Sequence, residues 1–233
     1  EVWIKGEGVS SYNQTMSAKS DISNSEDFIL EIWRDQNSRI VGLGINSRQN
    51  NQVFAATENI VEYGQWMHVA GTFDGDSLKI YIDGVKHVAE FADVTFNNYD
   101  NNLFIGKANN NNNSKFGGGM DEIRLWNYAR SPEQILSNMN YQLTGLEQGL
   151  VAHWNFNEGS GSSLSDQTGN GNNGTINGAT WNSDVPISSE VLSGTSYTPS
   201  INLTDDTEYH WQVTAEDQSG ATYTTPLQSF VVN

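Results

Sequence analysis

The chain has no cysteine, so neither a disulfide framework nor a thiol nucleophile can belong to it, and its 233 residues must be held by packing or bound ions. It has no apolar run approaching the ~18 residues that a membrane-spanning helix needs, which argues against membrane insertion. Positive charge is scarce and one-sided. Against 28 Asp and Glu stand 11 Lys and Arg, for a net charge of −17, and the 103 residues after Arg130 hold 11 acids and no Lys or Arg. Such a surface repels phosphate backbones, which excludes nucleic-acid binding, and it attracts divalent cations. Catalytic signatures are also missing. There is no G-x-S-x-G elbow and no phosphate-cradling loop, and His68, His87, His153 and His210 are scattered without ligand spacing. A retaining glycosidase needs two carboxylates about 5–5.5 Å apart, commonly on alternate residues of one strand. No such run exists: Glu31 and Asp35 flank Arg34 without alternation, and Asp121 and Glu122 are adjacent, so on a regular strand they face opposite sides.

What the chain does have is strand. Trp66 to Val85 reads as a complete hairpin: His68, Ala70 and Thr72 share one face and Val69, Gly71 and Phe73 the other. Asp74-Gly75-Asp76 turns the chain, Leu78, Ile80 and Ile82 alternate with Lys79 and Tyr81, and Asp83-Gly84 turns it again. A lone hairpin is barely stable in water, so this one belongs inside a larger sheet. Val2 and Ile4 opposite Trp3 begin a strand, and further strands are expected over Thr15 to Lys19, Phe28 to Arg34, Ile40 to Ile45, Gln52 to Ala56, Val94 to Phe96 and Asn101 to Gly106. Strands joined by short polar turns indicate an antiparallel sandwich or jelly roll. Asn109 to Ser114 reads as a mobile surface loop. Met120 to Asn127 alternates as one strand, and the single convincing helix follows: Ser131 as N-cap, Pro132 in the first turn, Gln134 closing a capping box, with Ile135, Leu136 and Met139 facing the sheet.

Four stretches, Trp66-Met-His-Val-Ala-Gly-Thr-Phe-Asp-Gly, Ile80-Tyr-Ile-Asp-Gly, Leu103-Phe-Ile-Gly and Met120-Asp-Glu-Ile-Arg-Leu-Trp-Asn-Tyr-Ala-Arg-Ser-Pro-Glu-Gln-Ile, occur in an order that resembles laminin G-like, concanavalin A-like and pentraxin-like jelly-roll domains. Gly149 to Trp181 extends the resemblance. It carries only an aromatic strand, an Asp166…Gly-Asn-Gly turn and a Gly-Thr-Ile strand, and the WxHVAGTFDG signature occurs once, so the segment is expected to return and close the first sandwich. Leu203 to Val213 resembles the tyrosine-corner strand of fibronectin type III domains, with Gln228 to Val232 as a closing strand. The expected fold is therefore all-β. Residues 1–186 form a two-sheet antiparallel jelly-roll sandwich with one short helix, from which opening strands are missing, and residues 187–233 form part of an immunoglobulin-like, fibronectin type III-like module.

The resemblance implies a non-catalytic binding or adhesion module of a secreted or cell-surface bacterial protein, recognising carbohydrate or a surface protein beside neighbouring domains of a longer chain. Alternatives are an accessory part of a polysaccharide-degrading enzyme and a structural spacer. Asp121, just after Gly117-Gly-Gly, matches a position where relatives hold calcium, so it is the expected metal ligand; a turn-capping role is its alternative. Asp166 to Asn172 reads as turn chemistry before metal loop. Sugar stacking would need an exposed aromatic, and alternation alone does not choose among Trp3, Trp33, Trp66, Trp126, Trp154 and Trp181.

Overall fold

The computed structural model describes residues 1–7, 14–20, 26–34, 39–46, 52–58, 60–91, 102–107, 115–186, 208–212, 214–216, 222–224 and 228–231. They fall into two compact units, 1–188 and 189–233. No helix among the described residues is long and apolar enough to cross a membrane.

In the first unit the strands are β1 (Val2–Gly6), β2 (Gln14–Ser20), β3 (Glu26–Arg34), β4 (Arg39–Asn46), β5 (Gln52–Ala56), β6 (Met67–Phe73), β7 (Ser77–Ile82), β8 (Val85–Phe91), β9 (Asn102–Ile105), β10 (Gly118–Asp121) and β11 (Ile123–Trp126), followed by helix α1 (Pro132–Asn138), then β12 (Leu150–Trp154), β13 (Ser163–Leu164) and β14 (Gly174–Thr175). One antiparallel sheet runs β10-β1-β6-β7-β8 and a second β5-β4-β3-β2-β9. Alternation decides which side chains meet between them. Val2, Ile4, Met67, Val69, Leu78, Ile80 and Ile82 from the first sheet join Met16, Leu30, Ile32, Val41, Leu43, Ile45 and Ala55 from the second in one apolar cluster. Each fully buried aliphatic side chain contributes about 1.5–3 kcal/mol. The fold is all-β, a two-sheet antiparallel jelly-roll sandwich with one short helix.

The central hairpin follows its turn residues. Asp74 accepts from the backbone of Asp76 (3.1 Å) and Ser77 (2.8 Å), Gly75 takes φ 101°, and Asp83 and Gly84 take φ 48° and 77°, which the second tight turn requires. The even positions of β6 and the odd positions of β7 point away from the core, and α1 covers Ala70 and Tyr81 among them. Ile135 is fully buried against Ala70 and Tyr81. Both halves of the capping box are present at Ser131 and Gln134. Leu136, expected to face the sheet, lies over Gly84 of the β7–β8 turn and is 53% exposed.

Two other expectations change. Met120 to Asn127 is two strands, broken where Glu122 adopts φ 50°. The Gly-Thr-Ile strand is a two-residue ladder, β13 with β14. Closure by the later segment is observed: β12 pairs antiparallel with β11, Ile123 opposite Trp154 and Leu125 opposite Ala152. Ala152 and Trp154 enter the main core. The expected strand Val94 to Phe96 and loop Asn109 to Ser114 lie outside the described residues.

In the second unit β15 (Glu208–Trp211) pairs antiparallel with β18 (Gln228–Val231), and β16 (Thr214–Glu216) with β17 (Thr222–Thr224). Tyr209 stacks on Phe230 at 5.7 Å between ring centroids. Leu203 of the expected tyrosine corner is outside the described residues.

Candidate functional site

The motif after the glycine run holds the largest concentration of buried charge. Because Glu122 is in the left-handed region, its side chain leaves the strand pattern and enters a pocket with Arg124 and His153, all three at most 2% exposed. The Glu122 carboxylate accepts from Arg124 Nη2 (2.8 Å) and lies 2.8 Å from His153 Nε2. Arg124 also donates to the carbonyl of Asn138 (2.9 Å) and to that of Tyr141. Trp3 Nε1 donates to the carbonyl of Met139 (2.9 Å). The carbonyls at the end of α1 thus accept from side chains of β1 and β11, that of Asn138 also from the Tyr141 N–H at 3.1 Å. Arg130 completes this layer: it pairs with Glu1 (2.9 Å), bonds Asn138 Oδ1 (2.6 Å) and lies over the Trp126 ring at 4.2 Å. His68 packs on Trp3 with ring centroids 5.4 Å apart, and burial holds its imidazole below the ordinary range. Acid, base and cation here are sealed under the helix. Their work is to fix α1 and residues 138–141 on the outer face of the first sheet.

Asp121 sits at the end of β10, 5% exposed, accepting from the Glu122 backbone at 2.8 Å. Burial, aided by the neighbouring Glu122 charge, pushes its carboxyl up to about 7 against that hydrogen bond and the Arg124 charge. Among the described residues no three His, Asp or Glu side chains gather in ligating reach. Asp166 is turn chemistry. Its carboxylate takes the backbone N–H groups of His153 (3.1 Å), Thr168 (3.0 Å) and Asn172 (3.0 Å), the Thr168 hydroxyl (2.8 Å) and Asn172 Nδ2 (3.0 Å).

The tryptophans separate cleanly. Trp3 and Trp154 are buried at 8% and 4%; Trp181 packs against the core and donates to the Gly161 carbonyl (3.0 Å); Trp126 has Arg130 on its ring and Tyr128 edge-on at 5.9 Å. The side chain of Trp33 is outside the described residues. Trp66 is half-buried and lies over Gly119, where a Cβ would come within 2.9 Å of the indole. Its Nε1 donates to Asp184 Oδ1 (3.1 Å), and Lys5 Nζ donates to Asp184 Oδ2 (2.7 Å). Those two bonds hold the exposed Asp184 carboxyl below the usual carboxylate range.

A two-sheet jelly-roll sandwich with an ionic cluster buried under α1, and with carboxylate, lysine and indole at a sheet edge, is the class this geometry defines. The profile of the concanavalin A-like lectin/glucanases superfamily matches residues 1–136, more than half of the chain, and the chain belongs to that family. Mouse pappalysin-1 is 35% identical over 81 residues, 33% of this chain, and the chain spans about one-twentieth (5%) of that protein. A crystal structure of a candidate carbohydrate-binding protein from Bacteroides ovatus ATCC 8483 superposes with a TM-score of 0.56 at 22% identity, over 81% of this chain and 59% of that one. Domain 4 of an extracellular arabinanase from Geobacillus stearothermophilus, in complex with arabinotriose, gives a TM-score of 0.45 at 21% identity, over 58% of this chain and 62% of that one.

Proposed function

We propose that the chain is a non-catalytic binding module that recognises carbohydrate. The observation that carries this reading is the state of the acids. Glu122, the carboxylate with both a base and a cation beside it, is 2% exposed and committed to Arg124 and His153 under α1, where no polysaccharide reaches it. The family holds both lectins and glucanases, and the likeness to the Bacteroides ovatus protein, described by its carbohydrate binding, supports recognition. The proposal places the module in a secreted or cell-surface bacterial protein, beside a fibronectin type III-like neighbour supported by the pairing of β15 with β18. The expected result is that the purified chain releases no reducing ends from soluble arabinan, xylan, mannan or mixed-linkage glucan, while at least one of them retards it in affinity gels. Turnover that vanishes in Glu122→Gln would overturn the reading.

Calcium at Asp121 is part of the same proposal. A carboxyl that burial raises to about 7 gains a partner for its ionised form from a bound divalent cation. A site filled at a hundredfold excess over Kd adds roughly 2.7 kcal/mol to stability. Chelator is then expected to lower the melting temperature of the wild type and to leave Asp121→Ala unmoved; identical wild-type curves with and without chelator remove calcium from the account.

A further inference from the structure

We infer that Trp66, Asp184 and Lys5 form a saccharide-contact subsite at the β10 edge of the first sheet, taking the face of a neutral sugar ring that carries vicinal hydroxyls. This rests on the carbohydrate reading above and adds to it a place and a chemistry.

Elimination among the tryptophans leads there first. In the first unit the described indoles other than Trp66 are buried, packed on the core, or have Arg130 and Tyr128 against the ring. Trp66 is half-buried, stands outside the core cluster, and among the described residues has no aromatic ring or cation stacked on it. The backbone beside it fixes its position. Gly119 offers no Cβ, so the Cη2–Cζ2 edge of the indole comes down against the strand, and a side chain there would press on Cη2 at 2.9 Å and Cζ2 at 3.2 Å. Gly118 has a different reason for being glycine: its φ is 139° and a Cβ would meet the Lys5 carbonyl at 2.1 Å. An indole with one edge against a glycine and its N–H held by Asp184 is fixed in position, and an aromatic face so fixed can take the C–H face of a sugar ring.

The rim supplies the polar half of the site. Asp184, with its side chain 48% exposed, fixes the indole N–H with one oxygen and Lys5 with the other. Each group keeps capacity to spare: a carboxylate oxygen accepts more than one hydrogen bond, and an ammonium carries three donors. A diol matches this pair, one hydroxyl donating to Asp184 while its neighbour accepts from Lys5. The residues come from four separate places, β1, the start of β6, β10 and the stretch after Trp181.

Trp211 is the competing aromatic. At 48% exposed it is the more open ring, but none of the described residues places a hydrogen-bonded carboxylate and cation at its edge.

The test is affinity gel electrophoresis of the full chain in the four polysaccharides above, with urea unfolding of each variant alongside. Trp66→Ala, Gly119→Ala and Asp184→Ala are each expected to lose about tenfold in affinity for whichever polysaccharide retards the wild type, the scale of one lost aromatic contact. Gly119→Ala retains the indole and tilts it, and Asp184→Ala alters an exposed pair, so a loss of binding in these two does not reduce to loss of fold. Tyr128→Ala and Trp211→Ala are expected to bind as the wild type does. If the wild type is retarded and Trp66→Ala is retarded equally, or if Trp211→Ala is the variant that loses binding, this subsite is wrong and the carbohydrate reading survives. If none of the four polysaccharides retards the wild type, both fall.

Discussion

Replacing Arg124 with methionine is expected to destabilise the first unit by about 3–5 kcal/mol, the usual cost of removing one partner from a buried ion pair. The volume of the side chain is largely kept, so the loss is electrostatic. Glu122, 2% exposed, would keep only His153 beside it, the Tyr141 carbonyl would lose the Arg124 donor, and the Asn138 carbonyl would keep only the Tyr141 N–H. At about 2–4 °C per kcal/mol for a unit of this size, melting should fall by roughly 6–20 °C. The double variant Glu122→Gln, Arg124→Met removes both charges and should recover part of that loss, because much of the single-variant cost is the stranded carboxylate. A single variant within 1 kcal/mol of the wild type would show that the cluster does not hold α1 in place, and the structural role given to the acids would have to be withdrawn.

The same cluster shows where sequence reading stops. Arg124 and Glu122 are two residues apart, and on a continuous strand they would share a face, which the alternation from Met120 to Trp126 led one to expect. The strand breaks because Glu122 is in the left-handed region, a conformation that alternation does not signal in a charged residue. His153 arrives from 31 residues downstream, through the pairing of β12 with β11, and no spacing rule connects the two. By contrast, the Asp74 turn and the Ser131 capping box were legible because each is a local device whose donors and acceptors lie within three residues. The sandwich was legible because alternation reports which face is buried, as it does for Leu78, Ile80 and Ile82. The Trp66 platform was not, since exposure of one tryptophan among many depends on what packs over it. Trp66 lies over residue 119 and bonds residue 184, and nothing local to it in the sequence announces either contact.

Asp166→Ala is expected to cost about 2–4 kcal/mol at pH 7, since a buried donor left unsatisfied costs about 1–3 kcal/mol. The donor at stake is the backbone N–H of His153, in the strand that closes the sandwich and with its residue fully buried. The remaining donors, on Thr168 and Asn172, shape the turn that lays Asn172 against Trp154, whose indole N–H bonds the Asn172 carbonyl at 2.9 Å. Loss of the carboxylate should therefore loosen the turn and the edge of the core together. The pH dependence has a definite sign. Burial works to raise the Asp166 carboxyl, but the hydrogen bonds from Thr168, His153 and Asn172 outweigh it and hold it below the ordinary value of 3.8. A depressed carboxyl stabilises the folded state fully above the unfolded value, and that stabilisation is lost as pH falls through the folded value. Urea unfolding of the wild type and Asp166→Ala should consequently differ at pH 7 and converge as the pH drops below about 4. A gap that stays constant into acid would mean that the charge on Asp166 is immaterial, and that shape alone fixes the turn.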